Sequence, residues 1–533
     1  MFYFIPSWYQ GYQWSENEQS WYVRRMHTEF DDTVKQIQLF HRNGTHPYRI
    51  LNLSFSPNFR HFLHRQSVYH APYWSCFDAI QEIDTQKMRV FSIYDLQWPD
   101  DVEFIRTNFV LVAYRFGEKY AIVEHGEDGN PIRIKIYAQG KINRRNIYDD
   151  RGFVSATILY KDERPIYQDY LMKNGVRKMR VFFSDGHVEI NSDAPFYLLQ
   201  NGKTKKRVPF LKLQYDGIEQ VISEVFSAYV KMTRSEDLFC VALHDLHTKM
   251  LLDILKDRKL ILSVFQDRYY FEENKDLFED ILKANYIIAD SEERVAKIEE
   301  LFEGRLKNIT DITPFDTRMD TGISQQLSVQ KILFAVDQMK DELFQDIIVQ
   351  MAEYIPTNKH ARVCLFTRDA DYNRPKQLLE QTRRILAENG YPEGWAAESV
   401  STDTENTVDD ESEEKTIPVK FYVDQCVEEL AVSRCMKEQR VLVDLHPVPE
   451  LYLQIQAVSL GLPQIVGVEN HFAEHEGNAI VLKQISELPE ALGHYLDGLE
   501  NWNQAQVYSH QLGKKYTTAV LLDKWKEVIE SIG

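Results

Sequence analysis

At 533 residues the chain exceeds what one hydrophobic core supports, and the usual domain size of ~150 residues predicts about three domains. Its 44% hydrophobic content is that of a globular protein. A formal charge of −19 excludes a general nucleic-acid binder and a strongly cationic membrane binder, because polyanions would repel it.

Cys76, Cys240, Cys364, Cys426 and Cys435 are odd in number and scattered, with no C-x-x-C pair. That fits reduced thiols in a cytosol better than a disulfide framework. The opening MFYFIPSWYQ has no basic n-region and no long apolar core, so no signal peptide is read there. No apolar run approaches the ~20 residues of a membrane span, and a soluble, cytoplasmic protein is expected.

Phe2–Ile5 reads as a buried strand, followed by an aromatic loop, a helix to about Phe40 and a second strand at Tyr48–Leu53. This β-α-β opening predicts a parallel sheet. From about Gln86 to Tyr215 the pattern changes to period two, as in Ile132-Arg133-Ile134-Lys135-Ile136. Asp128-Gly129, Asn174-Gly175, Asp185-Gly186 and Asn201-Gly202 supply hairpin dipeptides with positive φ angles. An antiparallel sheet inserted into the first parallel domain follows.

The βα rhythm resumes at Asp216, with strands at Leu238–Leu243, Lys259–Phe265, Tyr286–Ala289 and Ile309–Ile312. A second βα series runs from Lys331–Val336 through Arg362–Phe366, Val419–Val423, Val441–Leu445 and Gln464–Val466. The expected domains are a first Rossmann-like domain over 1–85 and 216–330, an inserted antiparallel β-sheet domain over 86–215, and a second Rossmann-like domain over 331–500. The second carries an acidic mobile loop at 398–415, and C-terminal helices over 501–533 pack back across the domains.

Several groups invite a functional reading. Trp8, Tyr9, Gln10, Tyr12, Trp14, Trp21 and Tyr22 crowd the carboxyl end of the first strand, where open α/β sheets bind ligands. Aromatic faces suit sugar rings; the plainer reading is that they fill the interdomain cleft. His244, Asp245 and His247 follow a strand that faces the same cleft, as does His446; a helix cap at Asp245 with surface histidines is the competing reading. His61, His64 and His70 lack the companions of a zinc set, so no metal and no cofactor is expected. Arg144, Arg145, Lys205, Lys206 and Arg207, with Arg177, Lys178 and Arg180, make the inserted sheet basic within an acidic chain. They read either as a partner-docking face or as a solvated, guarded sheet edge.

Two segments of the second series, KILFAVDQMKDELFQDIIVQM and LYLQIQAVSLGLPQIVG, resemble the GT-B class of glycosyltransferases. The fold class is accordingly α/β, two Rossmann-like domains in GT-B arrangement with an inserted antiparallel sheet domain. That class reads like L-L-E-A-M-A-x-G-L-P-V-V, with a glutamate for the donor ribose, where this chain has Gln456. Its arginine and lysine for the diphosphate fall, without gaps, on Gln338 and Leu343. Losing each charge-assisted hydrogen bond forfeits roughly 1.5–3 kcal/mol, so the donor site reads as degenerate. A register shift would bring Lys340 or Glu450 into play, with Arg368 as a further phosphate contact for an active glycosyltransferase, the alternative reading.

With its aromatic start FYFIPSWY, the inserted sheet and the degenerate second series, the chain closely resembles the first member of the Asp proteins of the streptococcal accessory Sec system. The resemblance covers essentially the whole chain. It implies a non-catalytic, glycan-binding, cytoplasmic component for export of a glycosylated serine-rich repeat adhesin. It also implies partnership with the other two Asp proteins and the accessory Sec motor ATPase, with membrane contact only peripheral through the translocon.

Overall fold

The computed structural model describes residues 1–533 except 12, 16–19, 21–29, 45, 86, 193–194, 201–203, 319, 321 and 399–417, and the side chains of 198–200, 204 and 205. Seven parallel strands form the first sheet, in the order Ile309–Asp311, Tyr286–Ala289, Lys259–Val264, Leu238–Ala242, Phe2–Ile5, Tyr48–Asn52 and Tyr73–Ser75. Alternation sorts the first strand between two cores. Tyr3 and Ile5 enter one, Phe2 and Phe4 the other, as expected for a strand covered on both faces.

The second sheet has six parallel strands, in the order Phe421–Gln425, Ala361–Thr367, Gln330–Ala335, Gln439–Asp444, Gln464–Val466 and Ala479–Val481. Ile332 and Phe334 face one core, Leu333 and Ala335 the other. The expected strands recur with ends shifted by one or two residues. Tyr73–Ser75 and Ala479–Val481 are additional; three residues are too few to display a period. Gly461 ends the helix Leu451–Leu460 at φ +68, and a Cβ there would meet Gln506 at 2.7 Å.

Ten antiparallel strands between Val102 and Tyr215 form the third sheet, and Phe196–Gln200 with Thr204–Val208 make a separate hairpin. The turns differ from expectation. At Asp128-Gly129, Asn174-Gly175 and Asp185-Gly186 only the glycine has positive φ, while Asn201-Gly202 lies outside the described residues. Both central residues are left-handed instead at Phe116-Gly117, Gln139-Gly140 and Asp162-Glu163. The twist of the flanking strands imposes that geometry on residues with little preference for it.

A buried ionic knot fastens this sheet to the first one. Arg60, on the helix Phe59–Arg65, pairs with Asp150 just beyond the strand Lys141–Asp149. Arg151 bonds both Asp149 and Asp78. At the C-terminus, Glu500–Gly513 packs on Leu451–Leu460, and Thr518–Ile532 seats Trp525 edge-on against Phe2 and Phe40 beside the first sheet.

Candidate functional site

A cavity of about 1140 Å³ lies between the two parallel sheets. Its walls are the loops that follow strand carboxyl ends: Ser7–Tyr9, Phe265–Arg268, Val336–Gln338, Arg368–Asp369, His446–Leu451 and Val468–Asn470. Strand order reverses beside Phe2–Ile5 in one sheet and beside Gln330–Ala335 in the other, and diverging loops leave room for a ligand there. No helix among the described residues is long and apolar enough to cross a membrane.

Trp8 lines the cavity but is 92% covered: its ring packs on Phe59 and Phe62, and its Nε1 donates to Asp31 Oδ1 at 3.0 Å. Burial, then the neighbouring Asp32, raises the Asp31 carboxyl to about 6, against the pull of Arg268 and Trp8. Tyr9 also lines the cavity, and its hydroxyl donates to His247 Nδ1 at 2.8 Å. The other His247 nitrogen, Nε2, lies 2.7 Å from the Ala242 carbonyl, which only accepts, so Nε2 carries the proton and the ring is neutral. Burial lowers its pKa to about 3.

This differs from the expected surface histidine, and Asp245 caps nothing: it accepts from Asn274, and the helix Thr248–Leu255 has no side-chain cap. Trp14 sits in the core against Tyr9, and Gln10 is exposed in a tight turn; neither lines the cavity, nor does His244. Tyr12, Trp21 and Tyr22 lie outside the described residues.

On the opposite wall, His446 Nδ1 meets Asp444 Oδ1 at 2.7 Å. Burial disfavours its charge, but the hydrogen bond and charge of Asp444 outweigh that and raise its pKa. Arg368 Nη1 donates to Glu450 Oε1 at 2.9 Å, its backbone N–H donates to Asp337, and its guanidinium stacks 3.7 Å from the Phe30 ring centre. Burial raises the Glu450 pKa against the pull of Arg368.

The donor-position residues need correction. Gln338 lines the cavity, at φ +58, but Leu343 packs in a core and Gln456 lies off the cavity wall. Cations are not missing: among the described residues six basic and seven carboxylate side chains line the space. Most cations are already held. Arg65 pairs with Glu127 at 3.3 Å, Arg268 with Asp31 at 3.1 Å, Arg294 with Asp290 at 2.8 Å and Arg368 with Glu450. Gapless alignment could not find Arg368, which follows the next strand, nor Glu450, which precedes the helix Leu451–Leu460.

The other candidates lie elsewhere. Arg144 is exposed, and Arg145 lies over the Tyr160 ring. Lys206 is exposed, Arg207 bonds the Tyr197 hydroxyl, and the Lys205 side chain is outside the described residues. Lys178 is buried on Glu82, which follows the helix Cys76–Ile80, and so ties the sheet to its neighbour, while Arg180 bonds Asp169 within the sheet. His61 is buried, His64 and His70 are exposed, and among the described residues they form no ligand group. The acidic loop, except Glu398, lies outside the described residues.

A family model for the first Asp protein of the accessory Sec system matches residues 1–531. A relative of the same description from Streptococcus gordonii is 31% identical over 535 residues, covering 99% of this chain and 98% of the relative. Two solved structures resemble the chain across its length. A chain of the Glycosylation Associate Protein (Gap123) complex from Streptococcus agalactiae has TM-score 0.80 and 28% identity, covering 100% of both chains. A chain of accessory secretory protein 1, 2 and 3 in Streptococcus pneumoniae has TM-score 0.79 and 29% identity, covering 100% and 99%. The pneumococcal O-GlcNAc transferase GtfA, solved with UDP and GlcNAc, shares the GT-B fold at TM-score 0.69 and 13% identity, over 100% and 98%.

Proposed function

The chain belongs to the family of the first accessory Sec system Asp protein, and on that premise we propose that it is a non-catalytic, glycosyltransferase-like component of an export pathway for a glycosylated serine-rich repeat adhesin. It works in the cytoplasm, peripherally associated with the export machinery, holding the other two Asp proteins and the motor ATPase while its cleft receives adhesin glycan. Assembly with the second and third accessory proteins is supported by the complex in which its structural neighbour was solved. Holding the glycan would present the adhesin to the motor and delay its release.

The charge balance of the cavity supports the lack of transfer. A diphosphate that used Arg368 or Arg268 would have to displace Glu450 or Asp31, leaving a carboxylate beside the incoming anion. Neutral donors and acceptors such as Ser7, Gln266, Gln338 and Asn470 impose no such cost on sugar hydroxyls. An active glycosyltransferase is the second reading. It is favoured by one observation: Arg368 and Glu450, a cation for phosphate and a carboxylate for ribose, share the cavity wall.

Calorimetric titration of the full chain with UDP, UDP-GlcNAc and a glycosylated serine-rich polypeptide separates them. Binding of the glycopolypeptide, weakened in Trp8→Ala with folding intact, is expected, with no nucleotide binding. Tight UDP-sugar binding with turnover would establish the transferase instead. Reversing Lys205, Lys206 and Arg207 to glutamate tests the docking face; undiminished co-purification of partners would discard it.

A further inference from the structure

Three donors close in sequence, Asp424, Cys426 and Cys435, meet a fourth 60 residues before Asp424, Cys364, beside the six-stranded sheet, and none of them lines the cleft cavity. Cys364 lies in the strand Ala361–Thr367, Asp424 in its neighbour Phe421–Gln425, Cys426 immediately after that strand, and Cys435 in the helix Glu429–Lys437. The register pairs Cys364 with Tyr422 and Phe366 with Asp424, which sends Cys364, Tyr422 and Asp424 to one face. The ligand atoms of Cys364, Asp424 and Cys435 all lie within 4.8 Å of one another. Asp424 Oδ2 is 3.4 Å from the Cys364 sulfur and 3.5 Å from that of Cys435; Cys426 neighbours Cys435 but lies outside that three-atom group.

Small apolar filling explains a buried thiol but not this group. A carboxylate stands between two sulfurs, with the third, that of Cys426, next to them. The Tyr422 hydroxyl, on a side chain 93% covered, neighbours Cys364 yet has no hydrogen bond of sound geometry among the described residues. A buried polar group with no such partner calls for an explanation, and a ligand at this point supplies one.

We propose that Cys364, Asp424, Cys426 and Cys435 form a binding site for a thiophilic divalent cation of the zinc type. Two sulfurs and one carboxylate oxygen are already gathered, and the Cys426 side chain closing on them would give the donor number and type that such an ion takes in four-coordinate structural sites. Binding forms three metal–sulfur bonds and one metal–oxygen bond. Each thiol yields its proton to solvent, so three protons are released and the site carries a net charge of −2. Two neighbours suit that charge. Gln439 Nε2 donates to the Cys435 sulfur at 3.6 Å, and the Tyr422 hydroxyl is available to a Cys364 thiolate. The cation would tie two sheet strands to the helix Glu429–Lys437, whose first residue, Glu429, pairs with Lys35 of the first lobe at 2.5 Å.

Titrating the reduced full chain with cadmium, a spectroscopic stand-in for zinc, decides it. The expected result is a sulfur-to-cadmium charge-transfer band saturating at one equivalent and erased by competing zinc. Cys435→Ser and Asp424→Asn should each weaken binding by about tenfold or more, whereas Cys240→Ser, in the first sheet, should not. The wild-type titration is decisive even if a variant misfolds. Absence of the band at micromolar cadmium, or its persistence in both Cys364→Ser and Cys435→Ser, would overturn the site.

Discussion

His247 turns a single buried ring into a measurable pH response. It is wholly covered, both nitrogens are hydrogen-bonded in the neutral form, and burial holds its pKa at about 3 against an ordinary 6.5. The unfolded chain takes up this proton below about pH 6.5, while the folded chain refuses it until about pH 3. Stability contributed by this group is therefore intact above pH 6.5 and falls through that window, by up to about 1.4 kcal/mol per pH unit. Urea midpoints measured from pH 7 to pH 5 should decline less steeply in His247→Gln than in wild type; parallel slopes would remove the argument. Nothing in the local sequence distinguished this histidine from His244, three residues earlier, which is half-buried and off the cavity. The difference is full burial with bonds to the Ala242 carbonyl and to the hydroxyl of Tyr9, 238 residues away in sequence, and the parallel pairing of the preceding strands brings Tyr9 there. The pairing of Arg368 with Glu450 was hidden for the same reason. Each charge was visible, but its partner was set by which loops end at the cleft.

The antiparallel sheet was readable because alternation over eight or nine residues per strand is a strong signal. How it is attached was not readable, since acidic and basic residues on a surface and in a buried knot look alike in sequence. In the knot, Asp150 accepts from the backbone N–H groups of Arg60 and His61 at 3.0 and 3.2 Å as well as from the Arg60 guanidinium. It thus satisfies the first turn of the helix Phe59–Arg65 while joining it to the sheet. Its side chain is fully covered, so removing Arg60 strands the Asp150 carboxylate, while removing Asp150 costs Arg60 its shortest pair and leaves it Asp149 at 3.6 Å and Asp78 at 3.8 Å. Asp150→Ala or Arg60→Met should each cost about 3–5 kcal/mol. The double variant should cost clearly less than the two together, because the second change removes the charge that the first left alone. Urea denaturation of the four proteins checks this; additive losses would mean that the two residues stabilise the junction independently.

The relation between the two lobes decides whether the cavity can admit a chain-bound glycan. Among the described residues, Lys35 pairs with Glu429 across the cleft and His471 meets Glu293 there at 2.9 Å. Their carboxylates are 38% and 42% exposed, so water screens them, and each contributes about 0.2–1 kcal/mol. The aromatic seam is the stronger link. Phe30 lies edge-on to Tyr452 at 4.6 Å, Phe315 meets the same ring at 5.0 Å, and Arg368 stacks on Phe30. These rings are buried, and each such aromatic pair adds about 0.5–1.5 kcal/mol beyond its buried area. The sequence announced two βα series, but Phe30 follows directly on residues that the structure does not describe, and nothing in its surroundings marked it as a bridge. Distances between spin labels, one on each lobe, separate the contributions. Glu293→Gln with Glu429→Gln should broaden the distribution modestly, and raised salt should do the same to wild type but not to this variant. Phe30→Ala should shift the distribution outright toward longer distances, and glycan should bind it more weakly as the two cavity walls part. If Phe30→Ala leaves the distances unchanged, the C-terminal helices that run from Leu451–Leu460 to the first sheet, rather than the aromatic seam, hold the lobes together.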